Sequence, residues 1–149
     1  MKQAKIDRIR VLAESFRSAL EQMRGSLRCL NLERFPRGCC GNASPILGTF
    51  LTEHGCGKFD LIEGTRGLPE VDFRSHAWLR QGRVIVDITA DQFEEVDETV
   101  IVTSYSPWHD SFNQRVGYSG DYRTVGNDDL TSIMGAVYEA VVDHIKSRS

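Results

Sequence analysis

The stretch "RSHAWLRQGRVIVDITA", residues 74–90, constrains the fold more than any other part of the chain. Two β-rich runs flank a tight polar turn, the pattern of an antiparallel hairpin. A short turn fixes the register of the strands it joins. With the turn centred on Gln81 and Gly82, position 76 falls opposite about position 87, so His76 and Asp87 share a face. Asp87 interrupts an otherwise apolar strand, where an acid is costly to bury unless it has a partner. Trp78 is assigned to the core, on the face away from His76, with Leu79 returning to the His76 face.

Helical patterns precede and follow this hairpin. From about Gln3 to Arg24, Ile6, Ile9, Leu12, Phe16, Leu20 and Met23 make one apolar stripe. A second helix is expected from near Cys40 to about His54, with Pro45 tolerated in its first turn and Gly55 as its stop. "KFDLIEG" and "TVIVTSY" read as strands, and 107–126 as an irregular stretch. A last helix should start near Asp128 or Asp129 and run to about Lys146, burying Ile133, Val137, Val141 and Ile145. Helices, then strands joined as neighbours, then a helix imply an α+β class with an antiparallel sheet.

The 149 residues suit one domain, 1–149, with no repeat or low-complexity segment. A net charge of -3 gives no basic footprint for nucleic acid. No apolar run is long enough to span a bilayer, and the N-terminus has no secretory core, so a cytoplasmic protein without membrane contact is expected.

The chemistry centres on "RGCCGNASPILGTFL", residues 37–51. A helix N-terminus lowers thiol pKa, because its unbonded N–H groups and dipole favour negative charge. Cys40 stands at such a start, while Cys39 precedes it and reads as a packed bystander. A thiolate nucleophile needs a base that later acts as acid, and His76 fits; the imidazole in turn needs an acceptor, and Asp87 fits. An oxyanion would be met by helix-start N–H groups and a side-chain amide, for which Asn31, Asn42 and Gln92 are all open. Trp108 and His109 in "SPWHDSF" read first as loop packing and second as the rim of a substrate cleft.

These segments resemble a known family. "RGCCGNASPILGTFLTEHG", "FDLIEG", "SHAWL" and "VIVDIT" are similar to the transglutaminase-like core of the papain-like cysteine enzymes. Gly38 and Cys40, then His76, Ala77 and Trp78, then Asp87 and Thr89 carry the likeness, over about 37–93. "DITADQF" looks like the signature of a small bacterial branch. Ile88 stands where the family often has proline, and no calcium-binding or accessory domain is present. The resemblance implies a nucleophile helix packed on an antiparallel sheet, with Cys40 as nucleophile, His76 as base and acid, and Asp87 as its orienting residue. It implies acyl transfer without cofactor or metal, on a peptide, protein or small amide. A binding module that has lost catalysis is the second reading. A structural zinc domain is the third, weakened because Cys39 and Cys40 lack the usual two-residue gap.

Overall fold

The computed structural model describes residues 1–148, with Tyr118 described by its backbone alone. Helix α1 (Gln3–Met23) forms where apolar residues recur on one face. Ile9, Ala13, Phe16 and Leu20 are buried, with Ile6, Leu12 and Met23 packed at the edges.

Helix α2 (Cys40–Leu51) is buried at every residue from Ala43 to Leu51. Pro45 is its sixth residue, beyond the first turn where sequence reasoning put it. It removes the N–H that would have bonded to the Gly41 carbonyl. The helix ends at Leu51, before the expected His54. Across Thr52–Cys56 the chain widens, His54 leaves helical geometry (φ -94°, ψ 18°), and Gly55 turns it away at φ +82°.

Strands β1 (Asp60–Arg66), β2 (Arg74–Gln81), β3 (Val84–Asp87), β4 (Ile101–Thr103) and β5 (Asn113–Ser119) form one antiparallel sheet in the order β4-β3-β2-β1-β5. A short helix, α3 (Pro107–Asp110), precedes β5. Helix α4 (Asp128–Ser147) closes the chain. Its cap is Asn127, whose Oδ1 accepts the Leu130 N–H at 2.9 Å. Met134, Val137, Tyr138 and Val141 form its buried stripe, whereas Ile133 is 44% exposed, one position off the predicted face. With four helices and a five-stranded antiparallel sheet among the described residues, the protein is α+β.

The two faces of the sheet carry different cores. Leu61, Ala77, Leu79, Val84 and Val86 join Phe16, Phe50 and the other residues of α1, α2 and α4 in the main core. Ile62, Trp78 and Ile85 point the other way and pack with Phe112 and Trp108. Phe112 and Trp108, from the stretch before β5, therefore help cover the face that the helices leave open. Gly48 lets α2 rest on the chain after β5; a Cβ there would sit 1.7 Å from the Gly120 carbonyl oxygen. No helix among the described residues is long and apolar enough to cross a membrane.

Candidate functional site

Cys39 and Cys40 mark the start of α2. The Cys39 carbonyl accepts the N–H groups of Asn42 (2.9 Å) and Ala43 (2.7 Å), so Cys40 is the first helical residue. Helix geometry leaves the N–H groups of Cys40 and Gly41 without an intrahelical acceptor. Cys39 is 1% exposed, and burial pushes its thiol up to about 12. Cys40 opens on a cleft. Burial raises its thiol too, but a hydrogen bond and charge from His76 and a backbone hydrogen bond from Ala77 hold it below the ordinary value of 9.0.

The β2–β3 turn is Gly82–Arg83, since Gln81 pairs with Val84. The expected turn lay one residue earlier, and the true register carries His76 toward Thr89 instead of Asp87. Opposed positions shift by two, which preserves the face, so Asp87 reaches His76 on the diagonal. The His76 Nε2 to Asp87 Oδ2 distance is 2.7 Å, with both side chains buried. Trp78, two residues from His76, shares its face, and the two rings lie 5.6 Å apart. Ala77 and Leu79 point to the helices, reversing the assignment read from sequence.

Desolvation opposes charge on His76, yet the Asp87 carboxylate and the Cys40 hydrogen bond raise its pKa to about 9. Burial also opposes charge on Asp87. His76 and His109 overcome it and hold the carboxyl well below the usual range. Its other oxygen, Oδ1, accepts the Thr89 N–H at 2.9 Å.

His109 lies behind this pair, not on a rim. It is 0% exposed, and its Nε2 stands 2.7 Å from Asp87 Oδ2. Its Nδ1 is 2.6 Å from Ser106 Oγ, which also accepts the His109 N–H. "Ser-Pro-x-His" carried a signal that sequence reasoning missed: serine before proline is a helix start, and the histidine three residues on falls back on that serine. Trp108 likewise stays outside the cleft. Its indole donates to Glu95 Oε2 at 3.0 Å, and its ring covers His76 edge-on at 5.6 Å.

The three amides separate. Asn42 donates to the Leu30 carbonyl at 3.0 Å and Asn31 to the Gly38 carbonyl at 3.4 Å, so both brace the loop before α2. Neither lines the cleft. The Gln92 amide lies 3.2 Å from His76 Nδ1, within the site. Arg17 holds the turn that carries it: from α1 it bonds the Asp91 carboxylate at 2.7 and 2.9 Å and the Ile88 carbonyl at 2.7 Å.

The cleft measures about 560 Å³. Cys40, Gly41 and His76 line one side. Its floor follows the strand register in two rows, Ala77–Glu63–Arg115 and Ser75–Thr65–Asn113. A second hollow of about 630 Å³, between Arg10, Glu95 and Trp108, holds no cysteine or histidine.

Among the described residues, the one group of metal-ligating side chains is His76, Asp87 and His109. Their 2.7 Å separations are hydrogen-bond distances. Ligands around a tetrahedral ion at ~2.1 Å stand roughly 3.4 Å apart, so the trio fits a proton network better than an ion. The cysteines do not join it. No known family, curated protein or solved structure matches the chain.

Proposed function

We propose that this protein is a cysteine-dependent acyl-transfer enzyme of the transglutaminase-like, papain-like type, acting on a peptide, protein or small amide. The observation that carries the reading is the order of three groups: the Cys40 thiol on the cleft, His76, which holds that thiol below its ordinary value, and the buried Asp87 carboxylate 2.7 Å from His76 Nε2. A nucleophile, its proton carrier and an orienting acid in that order match what thiol catalysis needs.

Cys40 sulfur attacks the carbonyl carbon of an amide or thioester, and the carbonyl π pair moves to oxygen. The N–H groups at the start of α2 face that oxyanion, and Gln92 is the amide near enough to add a donor. As the tetrahedral intermediate collapses, His76 gives its proton to the leaving amine or thiol and a thioester remains on Cys40. Water or an amine then attacks the thioester, His76 takes its proton, and the thiolate is released. Water gives hydrolysis or deamidation; an amine gives transamidation.

Incubation with a panel of peptidyl thioesters and p-nitroanilides tests this. Intact mass and peptide mapping should find the acyl group on the Cys40 peptide, and no adduct in Cys40→Ala. Acylation of Cys29 or Cys39 instead, or of no cysteine across the panel, overturns it.

A further inference from the structure

We propose that His109 is a positioning residue of this site: it makes Asp87 share one carboxylate oxygen between two imidazoles and so keeps His76 from becoming too basic to act as an acid. The inference rests on the acyl-transfer reading and extends it to a residue that substrate cannot touch.

Ser106 Oγ already accepts the His109 backbone N–H, so its hydroxyl hydrogen is free to point at His109 Nδ1, 2.6 Å away. With the hydroxyl turned that way, Nδ1 is an acceptor and the ring carries its hydrogen on Nε2. That hydrogen points at Asp87 Oδ2, 2.7 Å away. The same oxygen accepts from His76 Nε2 at 2.7 Å. Thr89 occupies Oδ1. Asp87 is thus an anion with donors on both oxygens, and His109 is held between Ser106 on one side and Asp87 on the other.

The surroundings keep it so. His109 faces Asp87 from β3 and His76 from β2, with Ser106 on its own segment. Trp78 and Trp108 close over the ring, each 4.8 Å away centroid to centroid. Gln114 donates to the His109 carbonyl at 2.9 Å. Asp87 and His76 are the charged groups among these contacts, with the Cys40 thiol beyond His76.

The consequence follows from sharing. A carboxylate oxygen with two donors gives each less of its charge than an oxygen with one. Asp87 therefore stabilises the His76 imidazolium by less than it would alone. A leaving group is protonated best by an acid whose pKa lies near the working pH, and an imidazolium bound too firmly to its proton is a poor one.

The test is histidine imidazole 15N NMR across pH, in a chain with only four histidines. In the unaltered protein His109 should show the neutral Nε2–H tautomer at pH 7. In His109→Leu, the His76 titration should move upward by roughly half to one pH unit. His109→Gln keeps a donor near the Nε2 position and should restore it. If His109→Leu does not fold, Ser106→Ala reads the same lock: the His109 ring should lose its single tautomer. A protonated ring or Nδ1–H tautomer in the unaltered protein overturns the proposal. So does an unmoved His76 titration in folded His109→Leu, which would leave His109 as packing only. Alkylation of Cys40 by iodoacetate, measured alongside, separates this from the broader reading. A Cys40 that never reacts in the unaltered protein sinks the enzyme, whereas a reactive Cys40 with an unmoved His76 sinks only the role of His109.

Discussion

Cys39 and Cys40 are joined by one peptide bond and have opposite environments. The Cys39 side chain is packed in the core with its thiol pushed up to about 12, while the Cys40 thiol opens on the cleft and is held below 9.0. Adjacent residues at a helix start diverge because only the first helical residue, Cys40, has both the free N–H groups and the imidazole beside it.

That divergence predicts a one-sided result. Cys40→Ala should abolish acyl transfer, a loss of at least ~1000-fold, since no other group forms the covalent bond. Cys39→Ala should keep most of the activity and lose on the order of 1 kcal/mol of stability from the small cavity it leaves. Activity assays and urea denaturation of both variants check this, and an active Cys40→Ala with a dead Cys39→Ala would reverse the assignment.

The pH profile follows from a coupled pair. Thiolate and imidazolium coexist between the lowered Cys40 pKa and the His76 value of about 9. Turnover should therefore be bell-shaped, falling on the alkaline side near pH 9. Stability has its own signs. The folded pKa of His76 is raised from 6.5, so its contribution is whole below pH 6.5 and fades as pH passes about 9. Asp87 is depressed from 3.8, so its contribution is present above that value and is lost only as pH falls through the lower folded one. Kinetic assays and thermal melts from pH 3 to 10 read both; a turnover profile still rising at pH 10 would contradict the His76 role.

Gln92 and the two asparagines should part company. Gln92→Ala removes an amide from the site and should lower kcat by roughly 10- to 1000-fold with little change in KM, as loss of an oxyanion donor does. Asn42→Ala releases the Leu30 carbonyl, which should cost stability on the order of 1 kcal/mol and leave kcat of the folded protein largely intact. Equal kcat losses in both variants would remove the distinction.

Arg17 connects the helical layer to the site. Arg17→Met leaves the Asp91 carboxylate and the Ile88 carbonyl without their donor. Breaking this partly buried pair should cost on the order of 2–3 kcal/mol and lower kcat by loosening the Gln92 turn. Denaturation and kinetics together check it; a destabilised variant with unchanged kcat would show that Gln92 is held by other means.

These predictions rest on parts of the chain that were legible to different degrees. α1 and the start of α2 follow from apolar stripes and from the glycines around the cysteine pair, and the structure places them within a residue of the expected bounds. The hairpin was legible too, but a one-residue error in the turn moved its register by two. His76 and Asp87 survived that error because a shift of two keeps the face. β5, "NQRVGYS", was not legible. It is an edge strand with Val116 exposed, so no apolar alternation marks it. Its pairing with β1 spans some fifty residues and leaves no local trace. Cys29 is exposed, on the 25–38 loop, away from the core that takes Cys39 and Cys56. His109 was hidden for a related reason: its partner Asp87 is 22 residues away, and only tertiary packing brings the ring against the carboxylate.

The central claim is that Cys40 is an activated thiolate. Cys29, exposed in the same molecule, is a built-in reference thiol. Limited alkylation with iodoacetamide at pH 6, followed by peptide mapping, compares the two directly. Cys40 should react at least ~10-fold faster than Cys29, and the excess should vanish in His76→Ala. A Cys40 that reacts no faster than Cys29, or an excess that survives His76→Ala, would contradict the account.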